Sequence, residues 1–501
     1  MKIKRLILEV TVFVCGAVVM IYEITGSRLV APYIGTSTYV WTSLIGVILA
    51  ALSAGYWLGG KTADRRPDVK ILASVIFLAG GAVGVTILFK DAVLSLVGAS
   101  PLILEIKALL AAFVLFAPAS VLLGFVTPYA VKLKMSAIAD AGKTVGRLYA
   151  LSTVGSILGT FLAGFFLIPF VGAARSLYLI AAALIGLSLL LAPFALTRTN
   201  LILIILFGFG IAFNEIKSYY LAAAHDFHEI DTEYNTARIF TTVDERTGRR
   251  IRNLTIDPNV TQSRMYLDSD ELVSEYARYY HLARHFRPGF QNALMIGGAG
   301  YSFPKEFLKT YPEAGMTVVE IDPQMTALAR KYFRLKDDPR LNIIHEDGRT
   351  FLNRAPSAEY DAVLMDAFGS LFSVPFQLTT LEAVREIDRV LKPDGVVIFN
   401  VGGALRGPAS RFLQAEYATY KQIFPQVFVF KVNSEKSDEE VQNLIIIAAK
   451  SEKPVSLSSP DAEFARLFAH LYRNEIPSDH PILTDELAPV EYYNSFAQTN
   501  R

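Results

Sequence analysis

The chain has 501 residues, 52% of them apolar, a positive mean hydropathy and a net charge of +1 from 48 basic and 47 acidic side chains. Balanced charge provides no field that favours nucleic acid, and the apolar content exceeds that of an ordinary soluble protein, so a membrane part is the first expectation. The single cysteine, Cys15, lies in an apolar run and excludes an internal disulfide framework or a multi-cysteine zinc site.

Up to about residue 215 the sequence is a series of long Leu/Ile/Val/Ala/Phe/Gly stretches, and a helix of about 20 such residues crosses roughly 30 Å of hydrocarbon. Crossings are predicted at Leu6 to Leu29, Val40 to Gly59, Ile71 to Phe89, Ala108 to Val126, Leu148 to Val171 and Ser176 to Leu196. The first is not read as a signal peptide, because further crossings follow and Ala31-Pro32-Tyr33 is a poor cleavage site. Lys2, Lys4 and Arg5, then Lys61, Arg65, Arg66 and Lys70, then Lys132, Lys134, Lys143 and Arg147, fall on alternate sides of successive crossings and place those ends in the cytosol. A seventh apolar run, Leu201 to Phe213, is short for a crossing. Six crossings and a cytosolic C-terminal half are therefore expected, in a multi-pass protein of the inner membrane with the lipid bilayer as a partner. Glu23 and Arg28 are ionisable groups inside or near the end of the first crossing, where function and anchoring are both open readings.

Past residue 215 the texture changes. Tyr234 to Val243, Arg250 to Ile256 and Val260 to Tyr266 read as strands, with a charged turn at Asp244 to Arg249, giving a small β region over residues 216–290. From residue 291 to 501 strands alternate with helices: Ala293 to Ile296, Thr317 to Ile321, Asn342 to His345, Ala362 to Met365, Val396 to Asn400, Val427 to Phe430 and Leu444 to Ala448. That alternation predicts an α/β, doubly wound, Rossmann-like parallel sheet with helices on both faces.

The chemistry gathers at the ends of those strands. The first runs into Gly297-Gly298-Ala299-Gly300, where small residues let a backbone approach a ligand. About 20 residues on, the second ends at Glu320, placed to accept hydrogen bonds from ribose hydroxyls, as in nucleotide-binding folds. The third ends at Asp347-Gly348, with Asp347 placed for an adenine amino group, and the fourth at Asp366, beside the reacting carbon. Any one such acid also reads as a helix cap; three at successive strand ends point to an adenosyl cofactor. His281 and His285 have the i, i+4 spacing of a metal pair but lack a third ligand, so they read as helix surface and no metal is expected.

Met295 to Ser302, Val318 to Pro323, Asp347 to Phe351, Tyr360 to Asp366 and Leu391 to Gly395 resemble the core motifs of spermidine synthases, polyamine aminopropyltransferases with an adenosylmethionine-methyltransferase-like fold. Tyr234 to Arg238 and Asp257 to Gln262 resemble that family's N-terminal β region. Glu23 to Tyr33, Tyr39 to Gly46, Gly55 to Arg65 and Gly146 to Gly159 resemble the membrane domains fused to bacterial homologues, and Leu483 to Glu491 their C-terminal signature. The resemblance implies attack by an amine such as putrescine on the methylene beside the sulfonium of decarboxylated S-adenosylmethionine. Asp366 would orient the amine and take its proton, with the hydroxyl of Tyr276 assisting.

The chain departs from that family at three places. Gly300 stands where an acid is usual in the glycine-rich turn, Gly369 stands where a second acid follows the catalytic one, and Tyr276-Ala277-Arg278 replaces Tyr, His or Gln, then Glu. Asp485 and Glu486 are acids that could compensate or form an exposed tail. Two alternatives stay open: a membrane-tethered transferase using intact S-adenosylmethionine, such as a methyltransferase, and a transporter or sensor with a nucleoside- or polyamine-binding domain. A complete transporter would need two chains paired as a homo-oligomer, since six or seven helices make half a bundle.

Overall fold

The computed structural model describes residues 2–35, 37–135, 141–192, 219–224, 226–257, 260–367, 374–477 and 480–499, with isolated positions 208, 212 and 216. The run Leu201 to Phe213, apart from two of those isolated positions, and Gly369 lie outside them. The chain divides into two compact units, residues 1–224 with 230–236, and residues 225–229 with 237–501.

In the first unit the helices are α1 (Lys2–Ile34), α2 (Thr38–Arg65), α3 (Val69–Gly98), α4 (Leu104–Lys134), α5 (Ala141–Leu162), which continues as a π-helix over Ala163–Val171, and α6 (Ala173–Leu191). Each is long and apolar enough to cross a membrane once α5 is taken with its π-helical extension, and each overlaps one expected crossing. Glycines let these helices approach closely. A Cβ on Gly155 would sit 2.1 Å from the Phe13 carbonyl oxygen, on Gly159 2.4 Å from that of Ala17, and on Gly55 2.2 Å from that of Val121. The polar groups that remain inside are paired where they can be: the Tyr22 hydroxyl bonds the Thr86 hydroxyl and donates to the Leu115 carbonyl, both at 2.9 Å. Glu9 takes Lys134 and, at 2.9 Å, Arg147.

From His228 onward the chain forms two sheets. Strands β1 (His228–Asp231), β2 (Thr236–Val243), β3 (Arg250–Asp257) and β4 (Val260–Tyr266) lie in that order, with β2, β3 and β4 successively antiparallel. β1 is four residues of mixed polarity, His-Glu-Ile-Asp, and carries no alternation by which the sequence would reveal it. The larger sheet comprises β5 (Asn292–Ile296), β6 (Gly315–Glu320), β7 (Leu341–His345), β8 (Tyr360–Met365), β9 (Leu391–Gly403), β10 (Gln426–Lys431) and β11 (Gln442–Ala449), in the order β10-β11-β9-β8-β5-β6-β7.

Five strands are parallel, as expected, but β11 runs antiparallel to both β9 and β10. The all-parallel expectation is thus corrected. The short link from β10 to β11 contains no crossover helix, and a direct link of that kind makes a hairpin, which is antiparallel. Every residue of β8 is buried, and Leu294, Ile296, Val363, Met365, Val397 and Phe399 form the centre of the core, each such side chain contributing about 1.5–3 kcal/mol on full burial. Helices follow the strands: α7 (Ser302–Thr310), α8 (Pro323–Tyr332), α9 (Gly348–Arg354), α10 (Leu381–Val390), α11 (Arg411–Tyr420), α12 (Ala462–Ala469) and α13 (Val490–Thr499). Caps fix where they start. Asp322 accepts from the amides of Gln324 and Met325 ahead of Pro323 at the first helical position, and Thr380 accepts from Ala383.

Candidate active site

β5 ends at Ile296 and the chain turns at Gly297, whose φ of +97° places it in the region that favours glycine. A Cβ there would also lie 2.6 Å from the carbonyl oxygen of Asp366, so the turn passes directly over the end of β8. The next amides are held by a side chain from β6: Gly298 and Ala299 both donate to one oxygen of Glu320 at 2.9 Å, and Asp322 donates to the other at 3.0 Å. Glu320 is buried, and burial raises its pKa against the opposing pull of those three amides. A carboxylate offers about four acceptor sites, so roughly one is left for a ligand hydroxyl. Glu320 is therefore the clamp of the glycine turn as well as the expected ribose acid.

Gly300 donates from its amide to the Ser263 hydroxyl at 2.9 Å, and a Cβ on it would meet Ser263 Cβ at 2.6 Å and the Phe333 ring at 3.1 Å. An acid cannot be restored there without moving β4. Ala299 and Tyr301 hold φ values of 44° and 54°, rare for residues with a Cβ, so the turn stores backbone strain beside the site. Asp347 caps α9, accepting from the Thr350 amide at 2.9 Å, while its second oxygen faces the Gln377 amide at 3.4 Å. Gly348 packs on the end of β5, where a Cβ would lie 2.7 Å from a methyl of Ile296.

At the end of β8, Asp366 is enclosed. Tyr276 donates to one of its oxygens at 3.4 Å and also lies 3.4 Å from the Gln262 carbonyl, and Asn400 donates to the other oxygen at 3.2 Å. Tyr280 lies beside the same carboxylate and helps to stabilise its charge, without a hydrogen bond of ordinary geometry. Loss of water outweighs these donors and pushes the Asp366 pKa up to about 6. Burial and the neighbouring carboxylate hold the hydroxyls of Tyr276 and Tyr280 firmly protonated. Asn443, on the reversed strand β11, donates to the Asn400 carbonyl oxygen at 2.9 Å, which fixes which end of the Asn400 amide faces Asp366. A cavity of about 20 Å³ opens here, lined by Tyr276, Asp366, Gly298, Met295, Gln262 and Phe303 among others.

The structure thus brings together Asp366, Tyr276, Gly297 and Gly298, with Glu320 behind the turn. Sequence reasoning missed Tyr280 and Asn400, although Tyr280 is one helical turn beyond Tyr276 and Asn400 ends the expected strand next to that of Asp366. Asn443 sends no such signal, because it depends on the reversal of β11. Two other expectations are corrected. His281 is buried, not on a helix surface, with one ring nitrogen 2.8 Å from the Tyr311 hydroxyl and the other 2.9 Å from Glu306. Asp485 is no free tail: it pairs with Arg349 at 2.9 Å and accepts from the Thr380 hydroxyl at 2.6 Å, distant in sequence but joined at the start of α10. Glu486 is exposed.

Residues 275–433 match the spermine/spermidine synthase domain. The chain is 27% identical over 216 residues to a polyamine aminopropyltransferase of Vibrio vulnificus, covering 41% of this chain and 70% of that protein. It is 25% identical over 445 residues to polyamine aminopropyltransferase 1 of Streptomyces coelicolor, covering 81% and 77% respectively, so that match extends into the helical unit. An eEF1A lysine and N-terminal methyltransferase homolog of Drosophila melanogaster is 29% identical over 173 residues, 32% of this chain and 24% of that protein. The crystal structure of spermidine synthase from Thermotoga maritima superposes with a TM-score of 0.34 at 19% identity, covering 51% of this chain and 80% of that one. The domain match falls on the segment that carries Tyr276, the glycine turn, Glu320 and Asp366, so the chain carries a spermine/spermidine synthase domain, that of a transferase, with an N-terminal helical region fused ahead of it.

Proposed function

We propose that the protein is a membrane-embedded polyamine aminopropyltransferase that moves an aminopropyl group from decarboxylated S-adenosylmethionine to a small amine such as putrescine. One observation carries the reading: Asp366 is a desolvated acid with a pKa of about 6, ringed by Tyr276, Tyr280 and Asn400 beside the glycine turn. An amine attacks only through a free lone pair, and a carboxylate poised near neutral pH is a suitable proton acceptor. The donor supplies an electrophilic carbon next to its sulfonium; the new C–N bond replaces the C–S bond, methylthioadenosine leaves, and Asp366 passes the amine's proton to water. Gly297 and Gly298 leave the backbone open to the adenosyl group, Glu320 has an acceptor site left for ribose, and Asp347 and Gly348 face its far end. The alternating basic loops support a bilayer-embedded helical unit with the enzyme unit in the cytosol.

Purified full-length protein, given decarboxylated or intact S-adenosylmethionine with a panel of amines, tests this by mass spectrometry of the products. Methylthioadenosine and an aminopropylated amine are expected from the decarboxylated donor. A methylated product from the intact donor would replace this reading with the second one, which Gly300 favours. Its crowded surroundings leave no place for the acid that spermidine synthases usually carry in the turn, so the donor's tail is not met by a carboxylate from that position.

A further inference from the structure

In the helical unit, Glu23 lies three residues from the middle of the apolar span Leu6–Ile34, about 5 Å along the helix axis. It is nine-tenths buried on the helix that packs against all the others, and its carboxyl makes no hydrogen bond or ion pair with any described residue. A dry, unpartnered carboxylate costs several kcal/mol, so such groups persist in crossings mainly where they serve a ligand or a proton.

The helix register shows what stands at its level. Gly155 packs on Phe13 and Gly159 on Ala17, so α1 and α5 run in the same direction side by side. Continued along both helices, that register brings Glu23 level with Gly164 and Phe165, at the beginning of the π-helix Ala163–Val171. π-Helical turns are rare and frequent at functional sites. Here Pro169 lies inside the π-helix and has no N–H, so the carbonyl five residues back, that of Gly164, receives no bond from it. One depth of the bundle therefore carries an acid without a partner among the described residues and a backbone carbonyl that Pro169 leaves without its π-helical bond. A metal such as calcium would need six or more oxygens, whereas an ammonium group brings both positive charge and N–H donors for this pair.

We propose that Glu23 and the π-helical turn starting at Ala163 form an intramembrane site for the ammonium group of an amine. The choice of an amine over other cations rests on the reading of the enzyme unit, and the test keeps the two apart. Full-length protein in phosphatidylethanolamine–phosphatidylglycerol vesicles is treated with dicyclohexylcarbodiimide, which modifies protonated carboxyls in apolar surroundings, and the fragment containing Glu23 is weighed. An ammonium bound to Glu23 keeps it ionised and protects it. Spermidine or putrescine at about ten times its dissociation constant should slow modification roughly tenfold by mass action, sodium chloride at the same concentration should not, and E23Q should abolish modification of that fragment.

Equal protection by sodium, no protection by either amine, or unchanged modification in E23Q would overturn the proposal. Wild-type protection is decisive even if E23Q fails to fold. Adenosyl-ligand binding is measured in the same vesicles: protection that persists when that binding is absent supports this site and rejects the enzyme-unit reading, and intact adenosyl binding without protection does the reverse.

Discussion

Glycine does different work in the two units. In the helical bundle Gly55, Gly155 and Gly159 let helix backbones meet, each at a point where a Cβ would fall within 2.4 Å of a neighbouring carbonyl oxygen. In the enzyme unit Gly297 is needed for its φ of +97° as well as for its closeness to Asp366. The first use fixes packing and is blind to chemistry. The second places a backbone turn against the acid proposed to take the amine's proton. A glycine-rich stretch therefore points to a site only when it falls at a strand end with acids beside it.

Substitutions can break that contrast. Asp366→Asn should have the largest effect, lowering turnover by at least about 100-fold while leaving adenosyl binding near normal, as expected of a general base. Steady-state kinetics and calorimetry on one preparation would check both halves. Because only the ionised acid accepts a proton, wild-type kcat/KM should rise with pH through about 6 and then level off.

Next, Glu320→Ala removes acceptors for three amides and the proposed ribose contact, so adenosyl binding should weaken by about 10- to 150-fold, the equivalent of 1.5–3 kcal/mol. Unchanged binding in a folded variant would reject the pocket. On the other side of the contrast, Gly155→Leu should destabilise the helical unit by about 1–3 kcal/mol through overpacking. Thermal unfolding should show it with no change in adenosyl affinity, whereas Gly297→Ala should weaken that affinity.

A subtler effect tests the burial of Asp366. Its folded pKa of about 6 lies above the ordinary 3.8, so the folded state keeps a proton that the unfolded chain has lost. Wild-type stability should therefore fall as pH rises from about 4 to about 6 and stay lowered above, by about 3 kcal/mol at most. Asp366→Asn should recover part of that at pH 8 and nothing below pH 4, as denaturant melts at the two pH values would show. The smallest change is expected from Asn443→Ala. Freed from its partner, Asn400 can turn its carbonyl toward Asp366 and raise the pKa further, moving the pH–rate profile alkaline by less than about one unit.

Much of this was legible in the sequence because it depends on local pattern. The six apolar helices follow from hydrophobic runs, and β5 to β8 follow from apolar segments broken by Gly, Pro and Asp. Glu320, Asp347 and Asp366 were found because strand ends share one edge of such a sheet. What depends on tertiary placement was not legible. β1 is too short for a pattern, and the reversal of β11 follows from a hairpin link. His281 looked like surface because its partners, Glu306 and Tyr311, arrive from α7 and the residue just beyond it. The acceptor count of Glu320 likewise needed coordinates, since nothing in Val-Val-Glu-Ile-Asp shows that three amides converge on it.

That convergence makes the opening of the turn reportable. The amide protons of Gly298 and Ala299 end on a buried carboxylate and not on water, so they exchange with solvent only when the turn lifts away from Glu320. Their deuterium uptake, followed in ligand-free protein, measures how often the glycine turn opens. An adenosyl ligand that takes the last acceptor position of Glu320 would then slow uptake at two residues whose amides it need not touch.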